Sequence, residues 1–159
     1  MAEEKEIMQA KAVYDTLCNM LTENKWHYEG DEDNFVITCG AQGEDLPIKL
    51  TIRIDPERLL ISIISPMPFT VPEDKRIDMA LAVSIANYGL VDGSFDYSFA
   101  NGNIYFRMTS SFMDSLIGKE LFDYMVFVSC GTIDRFNDKF LMIIKDKMTL
   151  DELVKYTKE

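Results

Sequence analysis

The chain has 159 residues and a formal net charge of -11, from 27 acidic and 16 basic side chains. A chain of this length buries about 69% of its unfolded surface, so it can form a core without disulfides or metals. The hydrophobic fraction of 47% and the charged fraction of 27% exclude a disordered or collagen-like protein. We predict a single domain over residues 1–159, because two independent cores need a longer chain.

The acid excess also limits the partners. It repels the phosphates of nucleic acids, and no cluster of Lys and Arg offsets it locally. We therefore predict that the protein binds neither nucleic acid nor an anionic membrane surface. A basic polypeptide is compatible with this charge, and so is an acid excess that serves only solubility.

Cysteine usage and the N-terminal residues predict a cytoplasmic protein. Cys18, Cys39 and Cys130 are an odd number of widely spaced thiols, without a Cys-x-x-Cys pair. Such cysteines are typical of reduced proteins, in which thiols pack as small hydrophobic side chains. The first six residues are mostly polar or charged and carry no apolar signal core, and no apolar stretch is long enough to span a membrane.

An amphipathic helix is predicted over residues 3–22. Apolar side chains recur there at spacings of three and four, and acidic residues occupy the first turn, where the helix dipole favours them. We predict that the apolar stripe faces the core. The stripe consists of Ile7, Ala10, Tyr14, Leu17 and Leu21. Core stripes of this and later helices also include Met8, Met79, Met125 and Met142.

Four strands are predicted between residues 26 and 64. Residues 26–28 and 35–39 flank an acidic turn at residues 29–34, which indicates a hairpin. Residues 48–54 alternate strictly between apolar and polar, so one face of that strand is buried. Residues 59–64 are apolar on both faces apart from Ser62, which suits a strand covered on both sides or covered by another subunit.

The next predicted helix, over residues 73–88 with Gly89 as its C-cap, is apolar nearly all round in its middle. A small chain offers little with which to surround such a helix. It is therefore either a central core helix or part of a self-association surface. We predict a homodimer, formed through this helix, through the strand at residues 59–64, or through both.

A second hairpin and two helices complete the chain. Phe95, Tyr97 and Phe99 alternate with polar residues and predict the first strand of this hairpin, and Asn101-Gly102 predicts its turn, because both residues tolerate positive φ. A long helix over residues 119–145 contains small residues at 129–132, which permit a bend or a close helix crossing. Residues 149–152 have the form of a capping box for a short terminal helix. The order predicts an α+β fold: an antiparallel sheet of hairpins with N-terminal, middle and C-terminal helices.

Two features invite a metal or triad interpretation. His27 is the only histidine, so no His-based metal trio exists and any Ser-His-Asp triad would have to use it. The acidic residues 31–34 suggest a calcium loop, but Val36 stands where such a loop needs Gly and Gln42 where it needs Glu. A solvated hairpin tip is the favoured interpretation, with weak attraction of a divalent cation left open.

Two further features invite a phosphate-binding or nucleophile interpretation. Residues 39–43 contain two glycines but lack the spacing and the Lys of a phosphate-binding loop, so a flexible connection between strands is predicted. Cys130 has Asp134 one turn away but no His as a base, so a packed helical cysteine is predicted. We therefore predict no catalytic, cofactor-binding or metal-binding residue, and no cofactor.

The pattern of elements resembles the YbjN-like family, whose fold is shared with type III secretion chaperones. The resemblance covers residues 8–156 and rests on packing and turn residues, with no catalytic motif. It implies a small, acidic, cytosolic, non-enzymatic bacterial protein that often dimerises and binds polypeptides or modulates regulation. Its most suggestive residues are the helix 79–87, Asn87-Tyr88-Gly89-Leu90, Gly93-Ser94-Phe95-Asp96-Tyr97, Asn101-Gly102-Asn103-Ile104-Tyr105-Phe106 and Thr132-Ile133-Asp134-Arg135-Phe136.

We accordingly predict a non-enzymatic protein-binding module, of chaperone-like or regulatory type, whose partner is another polypeptide. The alternative is a small-molecule binder or metal-assisted enzyme with an unrecognised carboxylate site. A third hypothesis is a structural subunit of a larger assembly. An exposed hydrophobic groove favours the first hypothesis, whereas a deep pocket with convergent polar groups favours the second.

Overall fold

The structure is a computed structural model that describes residues 2–158, and within them it has four α-helices and six β-strands. The helices are α1 (Glu4–Glu23), α2 (Arg76–Tyr88), α3 (Lys119–Ile144) and α4 (Leu150–Tyr156), and a short 3-10 turn (Glu73–Lys75) precedes α2. The strands are β1 (Tyr28–Asp31), β2 (Val36–Gln42), β3 (Pro47–Asp55), β4 (Leu60–Pro66), β5 (Ser94–Tyr97) and β6 (Ile104–Ser111).

The strands form one antiparallel sheet in the order β1-β2-β3-β4-β6-β5. The first four strands are neighbours in sequence and in space. α2 then carries the chain across, so that β6 pairs with β4 while β5 takes the edge. The predicted α+β fold with an antiparallel sheet is confirmed.

One face of the sheet is buried under the helices and the other face is open. Side chains alternate between the two faces of a strand, and in β3 the buried ones are Ile48, Leu50, Ile52 and Ile54. The helices α1, α2 and α3 all contact this buried side. On the open face of β4, Leu60, Ser62 and Ile64 are only partly buried. The prediction of a strand covered on both faces is therefore wrong for the single chain.

Four phenylalanines tie the β5–β6 end of the sheet to α3. The ring of Phe95 meets Phe106 at 5.4 Å, Phe136 at 5.7 Å and Phe140 at 5.1 Å between centroids, each pair edge to face. All four side chains are buried. Such aromatic pairs contribute about 0.5–1.5 kcal/mol each beyond the burial of their area.

The exposed edge of β5 is capped by a side chain from α2. The Asn87 amide donates to the Phe95 carbonyl oxygen at 2.9 Å, and its own oxygen accepts from the Phe95 N–H at 2.8 Å. The amide thus takes the place that a further strand would occupy. Because an uncovered edge is a template for aggregation, this contact closes the edge and fastens α2 to the sheet.

The β1–β2 and β3–β4 hairpins have the same kind of turn. In the first, the Asp31 carboxylate accepts from the Asn34 N–H, and Phe35 then has a positive φ of 51°. The second turn repeats this with Asp55, Arg58 and Leu59, whose φ is 48°. Phe35 and Leu59, predicted as strand residues, are therefore turn residues in the left-handed region, at a cost of about 1–2 kcal/mol each.

The apolar stripe of α1 is confirmed except at its beginning. Ala10, Tyr14, Leu17 and Leu21 are buried, but Ile7 is exposed. The assignment of Met8 to the core is also wrong, since 67% of this residue is exposed. Both residues line a groove together with the β1–β2 and β3–β4 turns, so the first turns of α1 extend past the buried face of the sheet.

The small residues of α3 do not interrupt the helix, which is continuous over Lys119–Ile144. A Cβ atom added at Gly131 would meet no atom within 4 Å, so no close helix crossing occurs there. Within residues 2–158, none of the helices combines the length and the apolar character that crossing a membrane requires.

The turn between β5 and β6 is wider than predicted. β5 ends at Tyr97 rather than at Phe99, and only Gly102 has a positive φ, at 75°, whereas Asn101 does not. The Gly102 carbonyl oxygen accepts from the Val71 N–H at 2.9 Å, and a Cβ at Gly102 would lie 2.2 Å from the Val71 carbonyl oxygen. Close approach to this second backbone, in addition to the turn itself, therefore requires glycine.

Replacing Gly102 with Val should lower the free energy of unfolding by about 2–3 kcal/mol, because the side chain is disfavoured at positive φ and collides with backbone. Gly131→Ala is the matched control. The position is helical and has open space, so the free energy of unfolding should rise by about 0.5–1 kcal/mol. Urea denaturation measures both. A Gly102→Val midpoint equal to that of the unaltered protein would contradict the contact with Val71.

Candidate functional site

Large apolar side chains are exposed only on the helices and loops of the described residues. None of them belongs to a strand. The open face of the sheet instead carries mainly small polar and charged side chains, such as Thr38, Arg53 and Thr109. The exposed apolar residues are Ile7, Met8, Ile77, Leu81, Tyr88, Val91, Phe99, Met113, Leu116, Leu121, Tyr124 and Phe127. Such a surface typically marks an interaction site.

α2 presents one apolar side to the core and another to solvent. Met79, Ala82, Val83 and Ala86 are buried. Ile77, Leu81 and Tyr88 follow at spacings of four and seven and are exposed, Tyr88 to 96%. The nearly all-round apolar character of α2 is thus divided between core packing and a stripe of side chains that stay exposed within residues 2–158.

A second exposed stripe lies on α3, which packs against α2. It consists of Leu121, Tyr124 and Phe127, and Phe127 is 77% exposed. The two helices pack antiparallel, because Lys75 bonds Asp146 at one end and the Tyr124 hydroxyl donates to Asp92 at the other. We refer to Ile77, Leu81, Tyr88, Val91, Tyr124 and Phe127 as the α2–α3 surface.

A groove lies at the N-terminal half of α1, against the β1–β2 and β3–β4 turns. Its volume is about 850 Å³. The apolar lining comes from Ile7, Met8, Ala12, Phe35 and Pro56. The rim carries the carboxylates of Asp15, Glu32, Asp33 and Glu57 and one cation, Lys11. We call it the N-terminal groove.

Lys11, the cation of this groove, is paired with two carboxylates of the rim. The Lys11 ammonium bonds the Asp15 carboxylate and lies 3.2 Å from a Glu32 oxygen. The hydrogen bond to Asp15 is the main cause of a raised Lys11 pKa, so Lys11 stays charged. Asp15, Glu32 and Asp33 against Lys11 leave this part of the rim with more negative than positive charge among the described residues.

The residues considered for metal binding do not converge. His27 is exposed, and the acidic turn is organised by protein donors: Asp31 accepts from Asn34, and Glu32 pairs with Lys11. Asp78, Asp146 and Asp151 line a cavity of about 360 Å³, but Asp146 there bonds Lys75. Within residues 2–158, no three His, Cys, Asp or Glu side chains are placed to hold a metal ion.

Residues 39–43 were predicted to be a flexible connection, but Cys39–Gln42 belong to β2, so the prediction is wrong for most of them. The loop begins only at Gly43. The N–H of Glu44 in this loop donates to the Asp134 carboxylate at 2.8 Å. A Cβ at Gly43 would lie 2.3 Å from the same carboxylate oxygen. A carboxylate of α3 therefore occupies the position that a phosphate would need.

A family model described as "Putative bacterial sensory transduction regulator" matches residues 14–142. The chain belongs to the YbjN family. The crystal structure of YbjN, "a putative transcription regulator from E. coli", shares this fold with a TM-score of 0.56. Identity is 15%, and the alignment covers 84% of this chain and 89% of that one. No curated protein matches the sequence.

The YbjN match includes the whole α2–α3 surface and leaves out the first helical turns. The N-terminal groove was missed by sequence reasoning, because Ile7 fits the core stripe of α1 by spacing alone. A signal was nevertheless present, since Ile7 and Met8 are adjacent and so point about 100° apart on a helix. Both of them cannot face the centre of one core.

Two of the three thiols are held protonated by their surroundings. Burial raises the pKa of Cys39 to about 12 and that of Cys130 to about 11, the latter with help from Asp134. The thiolate is the nucleophilic form of cysteine. Neither side chain is therefore activated, which favours the packed cysteine that was predicted at Cys130.

Iodoacetamide at pH 8 should alkylate Cys130 about 100-fold more slowly in the folded protein than in urea, since its pKa is about 11 rather than 9.0. The raised pKa also stabilises the fold below pH 9, and this contribution is lost as the pH rises through about 11. Mass spectrometry of the Cys130 peptide reports the rate. Equal rates in the folded and unfolded protein would show an ordinary, accessible thiol.

Proposed function

We propose that this YbjN-family protein is a non-enzymatic regulator that acts by binding polypeptides through the outer side of its helices. One observation carries the proposal: every exposed large apolar side chain of the described residues lies on a helix or loop. The description of the family as a regulator and the unactivated cysteines support it. Three free thiols suit the reducing cytoplasm, where we place the protein.

One of these polypeptides is a second copy of the chain, bound at the α2–α3 surface. Leu81 lies mid-way along the exposed stripe of α2, and Val91, 95% exposed, extends the stripe past the end of the helix. A two-fold contact would bury these side chains against their equivalents. The strand alternative is weaker, because Leu60, Ser62 and Ile64 on the open face of β4 are already partly covered.

A photo-crosslinking residue at position 127 should capture polypeptides in bacterial cells, whereas one at position 109 should not. Phe127 belongs to the α2–α3 surface, whereas Thr109 is also exposed to solvent but lies on the open sheet face. Adduct mass separates a second copy from another protein. Adducts at position 109 as abundant as those at position 127, or none at position 127, would overturn the proposal.

Leu81→Asp should convert a dimer at tens of micromolar into a folded monomer, because loss of one central apolar contact weakens association about tenfold or more. Met79 is unsuitable for this test, since it is fully buried in the core. Sedimentation equilibrium and far-UV circular dichroism report mass and folding. Thr109→Asp is the matched control and should stay dimeric.

An unaltered protein that is monomeric at these concentrations would exclude the dimer. Loss of the dimer in Ser62→Asp rather than in Leu81→Asp would move the interface to the open face of β4, where Ser62 pairs opposite Thr109.

A further inference from the structure

The N-terminal groove has an apolar floor beneath an anionic rim, and nothing in the described chain fills it. Met8 and Phe35 contribute to the floor, and 67% of Met8 is exposed. On the rim, Glu32, Asp33 and Glu57 are exposed. The groove is thus complementary to a surface that has apolar side chains flanked by positive charges.

We propose that the N-terminal groove binds a basic amphipathic helix of a partner polypeptide. Apolar side chains of that helix lie against the floor, and its Lys or Arg side chains pair with the rim carboxylates. The inference rests on the proposed polypeptide-binding function and specifies the chemistry of the partner. The part of the site that belongs to the first turns of α1, including Ile7 and Met8, lies outside residues 14–142, which the YbjN family model covers, whereas the rim carboxylates lie within them.

Lys11 shows how the rim receives a cation. Its ammonium bonds Asp15 and lies 3.2 Å from Glu32, so it bridges a carboxylate of α1 and one of the β1–β2 turn. Asp15 belongs to α1, whereas Glu32 and Asp33 belong to the β1–β2 turn on the other side of the apolar floor. Charges placed on both sides of an apolar strip match a helix that carries lysines on both sides of its apolar stripe.

The geometry favours a helix over an added strand. One wall is a face of α1 from Ile7 to Asp15, a length of about 12 Å at the helical rise, or slightly more than two turns. The other wall consists of hairpin turns at the end of the sheet, not of a strand edge. The groove therefore offers side-chain contacts and no ladder of backbone partners.

The charge of the rim argues against a second copy of this chain as the occupant. A two-fold contact through the N-terminal groove would bring two anionic rims together, and like charges facing each other oppose association. A small metal ion is not favoured either, because no three carboxylates within residues 2–158 converge on one point.

The probe is a fluorescent peptide of about 18 residues, built from Leu at helical spacing and Lys on the remaining face. A second peptide replaces every Lys with Glu, and a third replaces every Leu with Ser. Fluorescence anisotropy with the full chain measures the dissociation constants. Only the Leu/Lys peptide should bind saturably, because the Leu/Glu peptide is repelled and the Ser/Lys peptide lacks the apolar contact.

Two groove variants should weaken the binding of this peptide. Met8→Ser removes apolar contact, and Asp33→Lys reverses one rim charge; each should raise the dissociation constant at least about fivefold. Asp45→Lys makes the same change of charge on an exposed residue in the loop between β2 and β3, at the opposite end of the sheet. The Asp45→Lys substitution should change the dissociation constant less than twofold, because salt screens the attraction between the peptide and a distant surface charge.

Three results would overturn the inference. The first is that Asp45→Lys weakens peptide binding as much as Asp33→Lys does. The second is that the Ser/Lys peptide binds as tightly as the Leu/Lys peptide. The third is that the unaltered protein self-associates and that Met8→Ser abolishes this self-association. All three substituted residues are exposed, so we expect the variants to fold, and circular dichroism checks this directly. Peptide binding that fails while crosslinks at position 127 persist would refute the groove alone. Loss of those crosslinks with intact peptide binding would instead refute the α2–α3 surface.

Discussion

All the helices that contact the sheet pack on one of its faces, and this one-sided packing decides where the rest of the chain can be apolar. The alternate side chains of β3 and the four phenylalanines around Phe95 fill the space between the sheet and α3. No second layer within residues 2–158 covers the open face, and that face carries mainly small polar and charged side chains. The helices, in contrast, have an inner side against the sheet and an outer side. Every exposed large apolar residue of the described chain lies on helices or loops.

The edges and turns of the sheet are held by hydrogen bonds to residues outside the sheet. Asn87 closes the edge of β5, Gly102 accepts a hydrogen bond from Val71, and Asp134 of α3 holds the loop at Glu44. Each contact satisfies backbone groups that would otherwise need water or another strand. The contacts of Asn87 and Asp134 fasten α2 and α3 to the sheet, and the contact of Val71 fastens the segment that precedes α2.

The proposed regulatory function depends on binding surfaces rather than on a catalytic centre, and the two described surfaces differ in chemistry. The α2–α3 surface is aromatic and aliphatic, which suits the proposed symmetric contact between equal chains. The N-terminal groove combines apolar residues with carboxylates, which suits the proposed basic partner. Electrostatic complementarity of this kind selects among partners more than it adds affinity. The two surfaces lie on different helices, so the two proposed contacts do not compete for the same residues.

The sequence by itself determined the α+β class, the alternating burial of β3, the capping box of α4 and the family resemblance, because these depend on neighbours within a few residues. It did not determine which side of α2 is exposed, since Met79 and Leu81 are both apolar and only packing against β5 and α3 separates them. Nor did it reveal the N-terminal groove, which forms where α1 meets two turns that are distant in sequence. Periodicity reports whether a residue is apolar, but its burial depends on which surfaces the tertiary fold brings opposite it, and that is a property of the whole chain.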